Sequence, residues 1–140
     1  MEKIDCTILI SIKPEYVDMI FCGGKTVELR RVLPKNLTDD AELIIYASSP
    51  TRSIVGKARI KRVEDHPVEK LWRKLGHKTG ISAKYFKEYF KGKDRGYGLV
   101  LDEIVKFSKP YPLNHLREKL NFPPPQSFMY ATADLMEHIR

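Results

Sequence analysis

Hydrophobic and polar positions alternate from Cys6 to Ile12, with Cys6, Ile8, Ile10 and Ile12 on one face and Thr7, Leu9 and Ser11 on the other. A period of two marks a β-strand with an apolar inner face. Lys13-Pro14 stops it, and a proline with fixed φ suits the first turn of a helix. Tyr16, Val17, Ile20 and Phe21 then fall at helical spacing. Gly23-Gly24 predicts a left-handed cap for that helix. A second strand begins at Thr26, with Val27 and Leu29 on one side and Thr26, Glu28 and Arg30 on the other. Leu43 to Ser48 reads as a buried strand entering a Ser-Ser-Pro turn, and Ser53 to Val63 as a longer strand. On the longer one Ile54, Ala58 and Ile60 share a face, and Lys57, Arg59 and Lys61 share the opposite face.

Between His66 and Lys91 the period changes from two to about 3.6. Val68, Leu71, Trp72 and Leu75 predict one amphipathic helix, and Ser82 caps a second that carries Tyr85, Phe86, Tyr89 and Phe90. The linking loop, Gly76 to Gly80, is polar and expected to be flexible. The aromatics of the second helix alternate with Lys84, Lys87 and Lys91, so they either stack on bases or pack the helix onto a sheet. A further strand is expected from Tyr97 to Phe107 and a short helix from Leu113 to Leu120. Pro123-Pro124-Pro125 stiffens the approach to a last strand, and 131–140 reads as a short helix or a frayed tail. No repeat or long linker divides the chain, so residues 1–140 are expected to form one domain. Five or six strands with three or four short helices predict an α+β fold: a small, mixed, partly closed β-barrel with helices over its mouth.

A content of 42% hydrophobic residues suffices for a core without covalent staples. The two cysteines, Cys6 and Cys22, read as small buried hydrophobes, since they form neither a disulfide framework nor a metal knuckle. The four histidines are scattered in sequence, so neither a metal nor another cofactor is expected. No apolar run approaches the roughly 18 residues of a membrane span. The N-terminus has no basic start or small-residue cleavage site. A cytoplasmic protein without membrane attachment is the expectation. The net charge of +7 points to a polyanionic partner. Lys57, Arg59 and Lys61 would contact phosphates; a merely solvated strand face is the alternative.

Chemistry concentrates in GGKTVELRR, residues 23–31. The run lacks the spacing of a phosphate loop and leads into a strand rather than a helix, which argues against nucleoside triphosphate binding. It presents Lys25, Thr26, Glu28, Arg30 and Arg31 within a few residues of one another. Lys25 follows two glycines and is expected to project from an exposed turn, where the glycines admit a close ligand. Glu28 and Arg30 share a strand face and could pair. A lysine beside a carboxylate in a partly dry pocket suits proton transfer, and guanidiniums suit phosphate. A structural ion pair with a solvated Lys25 is the plainer alternative.

SIKPEYVDMIFCGGKTVELRR resembles the signature of the ASCH domain, a branch of the PUA-like superfamily. LIIYASSP at 43–50, IVGKARIKRVED at 54–65, DRGYGLVL at 94–101 and PPQSF at 124–128 follow in the family's order. The resemblance implies a pseudo-barrel of five or six strands with peripheral helices. It implies a role in RNA metabolism or transcription coactivation, with a base or modified nucleoside recognised in a cleft. By the same resemblance Lys13, Lys25, Glu28 and Arg30 line that cleft, with Thr26, Ser48, Ser49 and Tyr97 as further ligand contacts and Gln126-Ser127-Phe128 nearby. Some relatives deacylate N-acetylated cytidine and ribonuclease activity is attributed to others, so Lys25 and Glu28 are catalytic candidates. Deacylating members carry a catalytic threonine where this chain has Glu28, so only the lysine role carries over from them. A metal-independent hydrolase and a protein-interaction module in transcription stand as alternatives to plain RNA binding.

Overall fold

Leu9 is fully buried although it lies on the opposite face of its strand from buried Ile8, Ile10 and Ile12. A strand apolar on both sides belongs to a sheet covered on both sides. The computed structural model, which describes residues 7–139, shows what covers them. The chain runs β1 (Thr7–Ile12), α1 (Pro14–Cys22), β2 (Val27–Arg30), β3 (Glu42–Ala47), β4 (Ser53–Pro67), α2 (Val68–Leu75), α3 (Ala83–Tyr89), β5 (Arg95–Pro112), α4 (Leu113–Leu120), β6 (Phe128–Tyr130) and α5 (Ala133–His138). The six strands form one sheet in the order β2-β5-β4-β3-β1-β6. Among the described residues only the β1–β3 pair is parallel. The sheet is thus mixed, and it curls into a half-barrel within an α+β fold.

Three apolar clusters hold it. Inside the curl, Ile8, Ile10 and Ile12 meet Leu43, Ile45, Ala58, Ile60, Leu99 and Leu101, and Val17 and Ile20 of α1 close over them. Outside, α4 and α5 bring Leu113, Leu116 and Leu135 onto Leu9, Ile44, Tyr46 and Ile54. At the other end α2 and α3 bring Leu71, Leu75, Phe86 and Phe90 onto Val27, Leu29 and Val100. Among the described residues five α-helices are present, more than the three or four expected, because α5 also finds an apolar sheet face to cover.

The long strands depart from simple alternation. Register shifts fall between Ile54 and Gly56, Lys57 and Arg59, and Ile60 and Arg62. A bulge inserts one unpaired residue and exchanges the faces beyond it. Ile54 therefore joins the outer cluster, whereas Ala58 and Ile60 point inward. The sequence expectation that these three share a face is corrected. The same bulges keep β4 and β5 paired as far as Pro67 and Pro112, beyond the ends that alternation indicated. Cys22 is exposed at the end of α1 rather than buried; Cys6 lies outside the described residues. Among the described residues no helix is long and apolar enough to cross a membrane.

A polar clasp fixes α2 on β4. The buried Glu64 carboxylate accepts from His66 Nε2 at 2.8 Å, Lys74 Nζ at 2.9 Å and Arg62 Nε at 3.0 Å. The His66 and Lys74 contacts, followed by Arg62, hold its carboxyl down at about 2, well under the ordinary 4.5. Because the folded-state value is depressed, this stabilisation is complete above about 4.5 and is lost as pH falls toward 2. Glu64→Gln should therefore lower the melting temperature at neutral pH and flatten its decline between pH 4.5 and 2. A variant whose acid profile runs parallel to the parent's in thermal scans would show that the clasp carries no stability.

Candidate functional site

α1 ends where Gly23 takes φ 88° and donates its N–H to Ile20 O, a left-handed cap that other residues adopt at a cost. The chain then reverses into β2, and Lys25 turns inward. It is 2% exposed. Its Nζ donates to Thr79 O at 2.7 Å and Val27 O at 2.9 Å, and lies 3.2 Å from Glu28 Oε1. Two of its ammonium protons go to carbonyls, and the carboxylate faces its charge. The expectation of Lys25 on an exposed turn is overturned, because backbone carbonyls and a carboxylate replace its water. Burial lowers the Lys25 pKa, and Glu28 opposes that shift.

Thr79 explains a second correction. The Gly76–Gly80 loop is packed: Thr79 is fully buried, its Oγ1 donates to Gly76 O at 2.7 Å, and Lys78 O accepts from Thr26 N at 2.9 Å. Gly80 takes φ 71°, a conformation that favours glycine, and a Cβ added there would lie 3.2 Å from Met19 Sδ and 3.4 Å from Lys25 Cβ. A loop that must present a carbonyl to a buried ammonium is held in place.

From Lys25 the network continues to the sheet's open seam. Glu28, 7% exposed, places Oε2 2.8 Å from Arg30 Nη2. The same nitrogen donates to Ser11 O of β1 at 2.9 Å, and Nη1 donates to Ser127 Oγ at 3.1 Å, just before β6. Arg30 on one edge strand thus reaches the opposite edge and closes the curl by hydrogen bonds. Its Nε is buried and has no partner.

Above this trio opens a cleft of about 150 Å³, lined by Ser11, Ile12, Lys13, Leu29 and Ile81, by Lys25, Glu28 and Arg30, and by three tyrosines. Tyr16 comes from α1, and Tyr85 and Tyr89 from α3. Tyr16 and Tyr85 meet edge to face at 6.0 Å, and Lys13 Nζ lies 5.7 Å from the centre of the Tyr85 ring. Burial, with Tyr85 beside it, pushes the Tyr16 phenol up to about 12. Burial also raises Tyr89, whose hydroxyl donates to Leu29 O at 3.3 Å. Both phenols stay protonated at neutral pH. The arrangement can stack a planar ring against tyrosine and meet its polar edge with a fixed carboxylate and guanidinium.

Four residues chosen from the sequence, Lys13, Lys25, Glu28 and Arg30, line this cleft. Thr26 is exposed outside it, Ser48 and Ser49 lie beyond its wall, and Tyr97 pairs with Arg30 across the β2–β5 ladder without lining it. Phe128 packs against the inner core. Lys57, Arg59 and Lys61 lie on β4, away from the cleft. Arg59 is already claimed: it grips Asp102 at 2.6 and 2.8 Å, Asp40 at 3.0 Å and Glu103 at 3.4 Å. The three-cation face is therefore a mixed one. The sequence left open whether Tyr85 and Tyr89 stack on bases or pack the helix and did not tie them to this cleft, yet a signal exists. On α3 the pair Phe86/Phe90 is buried while Tyr85/Tyr89, one residue earlier in each turn, faces the cleft. His115 and His138, 23 apart in sequence, also meet, with their Nε2 atoms 3.0 Å apart between α4 and α5.

A curled mixed sheet with peripheral helices is the fold of the PUA-like class. Residues 6–117 match a family described as a domain of unknown function, DUF365. An ASCH domain-containing ribonuclease from Zymomonas mobilis is 32% identical over 123 residues, 87% of this chain and 82% of that protein. The crystal structure of ASCH from Zymomonas mobilis has a TM-score of 0.87 at 30% identity, covering 95% of this chain and 92% of that one. The large ribosomal subunit protein uL22 of Ureaplasma parvum is 30% identical over 114 residues, 81% of this chain but only 36% of that protein. The chain belongs to the ASCH domain family.

Removing the ammonium would leave two carbonyls and Glu28 buried with lost partners. Lys25→Met should cost about 3–5 kcal/mol in urea denaturation, the usual range for breaking a buried pair from one side. A loss below about 1 kcal/mol would mean that water already shares the site.

Proposed function

We propose that this chain binds RNA and holds one unpaired base in the tyrosine-walled cleft. One observation carries the reading: a cleft of about 150 Å³ with aromatic walls and a buried, ion-paired charge network as its floor. That volume is below the usual range of pockets for drug-sized ligands and suits a single ring edge. Stacking binds any base, and a fixed polar floor adds selectivity. The relative named a ribonuclease supports an RNA ligand. Lys57 and Lys61 on β4 are the proposed phosphate contacts, since Arg59 is held by carboxylates. Thr26, Ser48, Ser49 and Tyr97 belong to the rim at most.

RNA cleavage is the second reading, favoured by that relative's name. Lys25 and Glu28 remain its candidate catalytic groups. With two hydrogen bonds to carbonyls and an ion pair to Glu28, Lys25 serves there as a fixed positive charge rather than a mobile proton carrier. Incubating labelled RNAs with the protein, with and without chelator, separates binding from turnover on a denaturing gel.

Tyr85 is 37% exposed, so its ring can be removed without opening the core. Tyr85→Ala should weaken RNA binding by about 5- to 100-fold, the worth of one stacked base, with little change in melting temperature. Affinity should also fall steeply with salt, and Lys57→Glu/Lys61→Glu should shallow that slope. Unchanged affinity for Tyr85→Ala in a fluorescence titration would take the base out of the cleft.

A further inference from the structure

The floor of the cleft presents its polar groups in a fixed order. Glu28 Oε1 is anchored by Lys25, Oε2 by Arg30, and the Arg30 guanidinium follows. Each carboxylate oxygen has two acceptor directions, and one protein partner is seen on each. Each therefore keeps one acceptor direction. Of the five guanidinium N–H groups, three are used, toward Glu28, Ser11 O and Ser127 Oγ. Of the two left over, the Nε proton is covered by protein and one Nη1 proton remains for a ligand. Read along the floor, the sequence is acceptor, acceptor, donor.

Resting on the RNA-binding reading above, we propose that the cleft selects guanine. The guanine Watson–Crick edge runs donor, donor, acceptor: the 2-amino group, N1–H and O6. Its two donors meet the two carboxylate oxygens side by side, and O6 meets the guanidinium. Uracil offers acceptor, donor, acceptor and sets one of its carbonyls against the carboxylate. Cytosine offers one amino donor followed by the lone pair of N3. Adenine offers an amino group followed by the lone pair of N1. Each of the three places at least one lone pair against an anionic oxygen that nearby cations hold in position. A cleft of about 150 Å³ admits the six-membered ring edge first, leaving the ribose at the mouth beside Lys13 and Tyr85.

Titration of the protein with 5′-GMP, IMP, AMP, CMP and UMP, followed by amide and tyrosine NMR shifts, tests this without any variant. GMP should bind at least about tenfold more tightly than AMP, CMP or UMP, the lower end of discrimination for a bidentate base contact. IMP, which lacks only the 2-amino group, should fall between. Glu28→Gln should erase the preference, whereas Tyr85→Ala should weaken all five nucleotides alike. Equal affinities, tighter UMP or CMP binding, or IMP equal to GMP would each overturn guanine selection while leaving RNA binding intact. RNA binding with no nucleotide shifting Tyr85 would overturn it as well. Failure to bind any RNA of mixed sequence would instead sink the RNA reading itself.

Discussion

A buried ammonium organises this molecule. Lys25 is among the least exposed polar residues, and a lone charge there would cost several kcal/mol. The surroundings answer that cost with two backbone carbonyls and a carboxylate. To provide them, the Gly76–Gly80 loop must pack against the start of β2, and α2 must hold the start of that loop. The Glu64 clasp in turn fixes α2 on β4. Local glycine geometry, helix placement and the seam of the sheet thus share one electrostatic requirement.

The cleft follows from the same network. Glu28 is held between Lys25 and Arg30, so its carboxylate has little freedom to move. Arg30 reaches Ser11 and Ser127, which lie on the far edge of the sheet, and so the half-barrel's opening is fixed at the point where the site lies. Preorganisation of this kind reduces what binding must spend on ordering side chains. The tyrosines complete it from two helices, α1 inside the curl and α3 outside it. Neither helix makes the site alone.

Much of the fold was legible from periodicity. β1, α1 with its glycine cap, β3, α2, α3 and α4 all follow from spacing and capping residues, because those signals are local. The errors have local causes too. Bulges in β4 moved Ile54 to the other face, since one extra residue reverses a period of two. The Lys57-Arg59-Lys61 stripe looked uniformly basic because Asp40, Asp102 and Glu103 come from other strands and loops. Cys22 looked buried beside Phe21, yet the helix ends there and turns it outward. Of the site, the charged segment was visible and the α3 tyrosines were open to either role, although the offset of Tyr85/Tyr89 from Phe86/Phe90 held the clue to which face they line.

By itself, the sequence determined the class of the fold, the order of its elements and the chemical groups available near residue 25, because period, capping and residue type act over a few positions. Only the tertiary structure decided what those groups do. Thr79 lies 54 residues from Lys25, and Ser127 lies 97 from Arg30. Whether a lysine after two glycines stands in water or beneath a cleft depends on which distant carbonyls meet it. Here they do meet it, and a turn that could have been solvent-exposed becomes the floor of a site.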